Sequence, residues 1–498
     1  MSRTTRTVLV PRVFALADDL SGAAETAAAL GLRGRIVLGP ATTSPREGES
    51  VVLDLDTRQL PPQDAASAVR AALAYADGGV VLKKIDSLLR GNLAAEAAAY
   101  ATGATGVVIA PALPVAGRTV REGVVNLHGI ALHTTDAWRA ESGAAPVSVG
   151  AALGGVRTRV VPLATVRAPE PALYDRLRAL VAEGYHPVCD AETDADLDAI
   201  AEAALRLGPG IRLMGTGGLA AALGRRLAKA EADAAGTGAG FKGTDGDRPA
   251  EAARGHTEAD ADHSARTARD RSTEADPDPD HSARTAHDRS AEADRDRPTG
   301  ADTAGPAPAD EVSPALGGTS FRPLLVVVGT AEPVAVAQIA QLVAAGARHV
   351  PLPAHTLTDH SARRPLDIRT EGGHTPHGVT VVSIDGTHAV DPGAAGRLAA
   401  GLAHAVAAAA HDSDLVLTGG ETARRVLDAL GIRELLPLDQ IHHGAVRSST
   451  VDGRRVVTRP GSYGDTDSLL RIARALRPGL ALPSDQPVAS PVPSRPTR

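Results

Sequence analysis

Aromatic side chains make up only 2% of this 498-residue chain, and it contains one cysteine, Cys189. The first scarcity argues against a sandwich built on large side chains and favours small-residue helices packed tightly on sheets. The second excludes a disulfide framework and cysteine-based zinc sites, and no other residues are assigned to a metal. Positive charge is not in excess. With 52 Lys and Arg against 59 Asp and Glu, the formal charge of -7 argues against a nucleic-acid binder. No stretch approaches the roughly 18 uncharged apolar residues of a membrane helix. Residues 1–17 carry arginines before a short apolar run, but Pro11 and Arg12 interrupt it and no cleavage site follows, so it does not read as a signal peptide. A cytoplasmic protein with no membrane or nucleic-acid partner is expected, and homo-oligomerisation is compatible with that reading.

Between Phe241 and Phe321 aromatic residues are absent and Val, Leu and Ile almost so, while Asp, Arg, Ala, Thr and Pro dominate. Such a segment cannot bury enough apolar surface to offset its chain entropy. Its imperfect repeat, 261–272 and 279–290, has no apolar face and so does not describe a solenoid. The expected organisation is a first domain over 1–235, a disordered linker over 236–319, a second domain over 320–482 and a disordered tail over 483–498.

Both domains read as α/β with mostly parallel sheets. In the first, Arg35-Ile-Val-Leu38, Val51-Val-Leu-Asp54, Val80-Val-Leu-Lys83, Gly106-Val-Val-Ile-Ala110 and Ile211-Arg-Leu-Met214 read as buried strands, with helices such as 63–76 and 172–183 between them. The second repeats the scheme, with strands at 324–328, 379–383 and 414–417 and helices at 334–345, 394–410 and 421–430. Asp452-Gly453, between two β-rich runs, predicts a hairpin.

Function is written at strand ends. Residues 81–92 pass from an apolar run into Lys83, Lys84, Asp86, Ser87, Arg90 and Asn92. Val13-Phe-Ala-Leu-Ala17 ends in Asp18 and Asp19; a third strand is expected to end at Arg58, and Pro111 to Thr119 follows a fourth. In open α/β sheets ligands bind at the carboxyl ends of strands, so these groups point to one pocket for a polar, anionic small molecule. In the second domain, Thr418-Gly-Gly-Glu-Thr422 follows a strand and opens a helix, a geometry that aims N–H groups at phosphate or makes an ordinary tight turn capped by Thr418 or Thr422; with Gly329-Thr330 at another strand end and Pro460-Gly-Ser-Tyr-Gly-Asp465 it favours a nucleotide site. No segment fits the Walker A pattern. Gly215-Thr-Gly-Gly218 imitates a dinucleotide fingerprint, but close helix-to-strand packing is the preferred reading, because no strand with a ribose-binding acid follows. His442-His443 reads as a surface pair.

Together these segments resemble the four-carbon acid sugar kinases, which phosphorylate compounds such as threonate, erythronate and 3-oxo-tetronate. Ala17-Asp-Asp-Leu-Ser-Gly-Ala23, Lys84-Ile-Asp-Ser-Leu-Leu-Arg-Gly-Asn92 and 111–119 are similar to that family's acid-sugar elements. Gly329-Thr-Ala-Glu-Pro333 with Gln338, Thr418-Gly-Gly-Glu-Thr422 and Arg459-Pro-Gly-Ser-Tyr-Gly464 are similar to its nucleotide elements, in the same order.

The resemblance implies an N-terminal acid-sugar domain, a C-terminal ATP domain, Mg²⁺-ATP as co-substrate and transfer to a terminal hydroxyl in a cleft that closes on both substrates. Asp19 is expected to be the base, with Asp86 second and Asp18 orienting a hydroxyl. Arg58, Lys84, Ser87, Arg90, Asn92, Gly117, Arg118 and Thr119 are expected at the acid sugar, whose carboxylate would meet Arg90, Arg118 or Lys84. ATP is assigned to Gly329, Thr330, Glu332, Gly419, Gly420, Glu421, Thr422, Gly461 and Gly464. Departures from the family pattern are Glu25 for Asp, Leu88 for Thr, which removes a hydroxyl from the pocket, Glu332 for Ser, which sets a carboxylate beside phosphates, and Arg459 for Lys. The alternatives are a non-catalytic acid-sugar or nucleotide sensor, and a nicotinamide-dependent oxidoreductase.

Overall fold

A computed structural model describes residues 12–31, 33–40, 44–46, 48–139, 141, 143–238, 322–359, 378–385, 394–461 and 463–480. Of the expected linker, 236–238 complete a helix and the remainder lies outside the described residues, as do the tail and Ser462.

The N-terminal domain opens with β1 (Val13–Ala17), α1 (Leu20–Leu30), β2 (Arg33–Leu38), β3 (Glu49–Asp54), α2 (Pro62–Leu73), β4 (Val80–Lys84), α3 (Leu93–Ala101) and β5 (Gly106–Ala110). A small antiparallel sheet of β6 (Arg118–Arg121), β7 (Val124–Leu127) and β8 (Ile130–Ala131) follows. After α4 (Val149–Ala152) come β9 (Thr158–Val161), α5 (Leu163–Val166), α6 (Ala172–Ala182), β10 (His186–Cys189), α7 (Asp194–Arg206), β11 (Ile211–Gly215) and α8 (Gly217–Gly238). The main strands lie in the order β2-β3-β1-β4-β11-β5-β10-β9 and pair in parallel. The central strands carry Val, Ile, Leu and Ala runs without polar alternation, and β1 and β5 are buried at all five positions, as strands covered on both faces require.

The C-terminal domain comprises β12 (Leu324–Val328), α9 (Pro333–Ala344), β13 (Arg348–Pro353), α10 (Ala354–Thr358), β14 (Val379–Asp385), α11 (Ala395–His411), β15 (Asp414–Thr418), α12 (Gly420–Ala429), β16 (Glu434–His442), β17 (Ala445–Ser449), β18 (Arg455–Arg459) and α13 (Ser468–Leu476). The order is β13-β14-β12-β15-β18-β17-β16, and β17 and β18 form the expected antiparallel hairpin. Alternation along β12 sends Leu325 and Val327 into one apolar core and Leu324, Val326 and Val328 into another. The first core is continuous with that of the N-terminal domain.

The sequence predicts two sheets; the structure joins them into one of fifteen strands through antiparallel pairing of β16 with β2, Glu434 opposite Val37 and Leu435 opposite Ile36. β16 escapes sequence reading because Pro437 and Asp439 break its pattern and register shifts interrupt its pairing with β17. Both halves have a switch point where connections leave in opposite directions. From β1 the chain builds β2 and β3 on one side and β4 on the other; from β12 it builds β13 and β14 on one side and β15 on the other. Ligand crevices form at such points, at the carboxyl ends of the strands.

Candidate active site

Four polar segments meet around the end of β1. Asp19 caps α1, accepting from Gly22 N at 2.7 Å, and a Cβ on Gly22 would stand 2.9 Å from Asp19 Oδ1 and 3.0 Å from Lys84 Nζ, so the close approach requires glycine. β3 ends at Asp54, so Arg58 lies in the following loop and not at a strand end as expected. Its guanidinium bridges Asp18 Oδ2 and Asp19 Oδ2 at 2.8 Å each, with Asp86 Oδ1 at 3.6 Å. Asn92 spends its amide on the carbonyls of Thr57 (2.8 Å) and Leu60 (2.7 Å), pinning that loop.

The strand parity of β4 separates its two lysines. Lys83 is fully buried against Glu96 of α3 at 3.0 Å, whereas Lys84 points the other way, to Glu25 of α1 at 3.3 Å. After β4 the chain curls around Asp86, whose carboxylate accepts from Leu88 N (3.0 Å) and from Arg90 Nε (2.9 Å) and a terminal guanidinium nitrogen (2.8 Å). The curl is held with Leu89 at φ 59 and Gly91 at φ 85. Leu88 does not face the pocket; its side chain is buried in the apolar core, and its carbonyl accepts from Trp138 Nε1 at 2.8 Å. Gly117, at φ 64, turns the chain into β6, where Arg118 donates to Ser87 Oγ and half-buried Thr119 is next in the strand.

Three carboxyls thus share one pocket with different proton affinities. Burial pushes Asp18 up, but Arg58, Lys83 and Lys84 together outweigh it, and its carboxyl stands below the ordinary value. Asp86, although also buried, is held far below by its Arg90 hydrogen bonds and charge. At Asp19 burial prevails over Arg58, and the carboxyl stands above the ordinary value. Asp18 Oδ1 is buried with no hydrogen-bond partner among the described residues. Arg90 is committed to Asp86 and Lys84 to Glu25, while Arg118 has no carboxylate partner among the described residues and burial lowers its pKa.

In the C-terminal domain three turns converge. Gly419, at φ 87, is within reach of Gly461, whose Cβ would lie 3.8 Å from Gly419 Cα and 3.6 Å from Thr330 Cγ2. A side chain on Gly329 would run into Thr422 Oγ1. Gln338 of α9 secures the closing segment, donating to the carbonyls of Gly464 (3.2 Å) and Asp465 (2.8 Å). Arg459, fully buried, donates to Ser468 Oγ (2.7 Å) and to the carbonyls of Pro460 (3.1 Å) and Gly461 (2.8 Å); burial lowers its pKa to about 10. Glu332 is met by a cation, Arg139 of the N-terminal domain, at 3.0 Å. Burial raises half-buried Glu421 on the first turn of α12.

The two halves face each other across a bridged cleft. A Cβ on Gly420, the first residue of α12, would lie 2.7 Å from Asp19 Oδ2, so the aspartate meets the N-terminus of that helix. One turn later, Arg424 reaches Asp54 Oδ2 at 3.0 Å and Arg425 reaches Asp56 Oδ2 at 2.7 Å. Asp54 is fully buried, which pushes its carboxyl up to about 7 despite the arginine. Sequence reasoning missed this clamp, although two arginines just beyond a glycine turn were its available signal.

His442 and His443 are not a surface pair. Both are half-buried and line a cavity of about 590 Å³ with Arg118, Tyr463 and Arg471. The Gly215 turn packs closely: added Cβ atoms at Gly217 and Gly218 would meet the Glu25 carboxylate and Ala112 O, as the close helix-to-strand reading expects. No described helix is long and apolar enough to cross a membrane.

The fold is therefore that of a two-domain α/β protein in which a pocket of charged side chains faces a set of glycine turns. Residues 13–223 match the model of a sugar-binding N-terminal domain, and 325–469 that of a nucleotide-binding C-terminal domain. A Cupriavidus necator protein named D-threonate kinase is 30% identical over 481 residues, covering 93% of this chain and 97% of that one. A Heliobacterium modesticaldum D-erythronate kinase is 32% identical over 212 residues, 39% of this chain and 48% of that protein. A solved Salmonella typhimurium LT2 structure, described as a tRNA synthase, shares the fold, with a TM-score of 0.60 at 20% identity over 93% of this chain and 99% of its own. The chain belongs to the four-carbon acid sugar kinase family.

Proposed function

We propose that the protein transfers the γ-phosphoryl group of ATP to the terminal hydroxyl of a four-carbon acid sugar. The observation that carries this reading is the meeting of Asp19 with the N-terminus of α12, which sets a carboxylate of raised pKa against the turn suited to phosphate. Asp19 takes the hydroxyl proton as the phosphoryl group arrives. Asp86, held far below the ordinary carboxylate value by Arg90, is the weaker base of the two, and Asp18, through its unclaimed Oδ1, orients a hydroxyl. Arg58 and Asn92 position these groups. Arg118, the site cation without a carboxylate partner, binds the substrate carboxylate.

Gly329, Thr330, Gly419, Gly420 and Thr422 receive the phosphates, Glu421 and Glu332 flank them, and Gly461 with Gly464 closes the site. Phosphoryl transfer depends on positioning and charge neutralisation more than on covalent chemistry, which suits two rigidly apposed half-sites. Among the described residues no cluster of three metal-ligating side chains occurs. Mg²⁺ would be carried mainly by the ATP phosphates, with half-buried Glu421 as the nearby carboxylate, and would supply charge neutralisation there.

The test is Mg²⁺-ATP-dependent ADP release against D- and L-threonate, D- and L-erythronate and their 2- and 3-oxo relatives. Turnover with at least one acid is expected; ATP binding without turnover on any of them would favour the sensor reading.

A further inference from the structure

The hairpin tip between β16 and β17, His443-Gly444, belongs to the nucleotide-binding domain yet reaches the other half of the cleft. Gly444, at φ 80, makes this tight turn, and a Cβ there would approach Tyr463 Cδ1 to 3.3 Å. The His443 ring stands edge-on to Tyr463, with centroids 5.5 Å apart at 66°, and its Nε2 lies 3.9 Å from Glu25 Oε1. Glu25 in turn holds Lys84, so His443 borders the charged pocket as well as the cavity beside Arg118.

The two histidines differ in what their nitrogens do. Arg459 donates to Ser468 Oγ, so the serine's own proton goes to His442 Nε2 at 3.0 Å, and His442 Nδ1 donates to His443 O at 3.1 Å. Both nitrogens of His442 are spent. Neither ring nitrogen of His443 makes a hydrogen bond to a described residue, and the Glu25 oxygen is too far for one. The His443 ring thus keeps its hydrogen-bonding capacity in the cavity it shares with Arg118, whose guanidinium has no carboxylate partner among the described residues.

We propose that His443 is a specificity-determining residue that hydrogen-bonds a hydroxyl of the acid sugar whose carboxylate is held by Arg118, so that the nucleotide-binding domain takes part in choosing the acceptor. The proposal rests on the acid-sugar reading above. Burial keeps the imidazole below its ordinary pKa in spite of Glu25, with Arg118 and His442 acting in the same direction as burial. A neutral ring offers one donor and one acceptor, which matches a hydroxyl; a keto oxygen only accepts. A site that hydrogen-bonds a substrate hydroxyl discriminates strongly against an analogue that lacks it or displaces it.

The experiment compares wild type, His443→Phe and His443→Gln by kcat/KM on threonate, erythronate and their 3-oxo relative, with KM for ATP and Tm measured alongside. His443→Phe should lower kcat/KM for the preferred hydroxy acid by about 10-fold, reduce the preference over the stereoisomer and oxo acid, and leave KM for ATP within about twofold. His443→Gln, which keeps a donor and an acceptor, should retain part of the preference. An active wild type whose preferences survive in both variants overturns this proposal alone. A wild type inactive on every acid overturns the acid-sugar reading and this proposal with it.

Discussion

At the carboxyl ends of β1 and β4 the chain crowds Asp18, Asp19, Lys84, Asp86 and Arg90, whereas at the ends of β12 and β15 it places Gly329, Thr330, Gly419 and Gly420. Both are switch points of parallel sheets, so the topology is shared and the chemistry differs. The first works through side chains whose charges set one another's proton affinities. The second presents mainly backbone, since side chains at Gly329 and Gly420 would collide with Thr422 and Asp19. A small acid with several hydroxyls needs directional groups, while a phosphate chain needs N–H donors at close range.

The largest expected effect lies where the two regions touch. Asp19→Asn should lower kcat by about 10²- to 10⁴-fold with little change in either KM, read by steady-state kinetics. Because burial raises Asp19, the base is protonated, and activity lost, at a pH above that of an ordinary carboxylate. The acidic limb of the kcat profile should therefore lie above the ordinary aspartate value of 3.8. A limb at or below that value would remove Asp19 from the base role.

The junction supplies the next contrast. Arg424→Met removes the cation of the fully buried Asp54, which then takes up a proton because burial already holds its carboxyl at about 7, and should cost about 1–3 kcal/mol of stability in denaturant unfolding. Arg139→Ala breaks the exposed pair with Glu332 and should cost no more than about 1 kcal/mol. Equal losses would mean that burial does not separate the two bridges.

Within the half-sites the effects should separate by substrate. Arg118→Gln removes a charge-assisted contact and should raise KM for the acid by about 10- to 100-fold, leaving KM for ATP unchanged. Gly329→Ala, by pressing on Thr422, should raise KM for ATP by about 10-fold and spare the acid.

Much of this was legible in the sequence because strand ends are local features: an apolar run that stops in Asp18-Asp19 or Lys84-Ile-Asp86 announces its pocket. The allocation of charges was not. Whether Arg90 or Arg118 is unpaired depends on a curl with Leu89 at positive φ, which returns Arg90 to Asp86. The inward turn of Leu88 follows from the same curl, and a loop conformation of this kind has no periodicity to read. The β2–β16 join and the Asp54–Arg424 clamp link residues nearly four hundred positions apart, beyond any local pattern. His443 was misread because a charged or polar pair in a short turn is ordinarily solvated; here a partner domain covers it.

The division of labour is tested most directly by calorimetric titration of acid and of Mg²⁺-ATP into wild type, Arg118→Gln and Gly329→Ala. Arg118→Gln should weaken the acid and spare ATP, and Gly329→Ala should do the reverse. If either substitution weakens both ligands equally in a folded protein, the separation of side-chain and backbone half-sites is wrong.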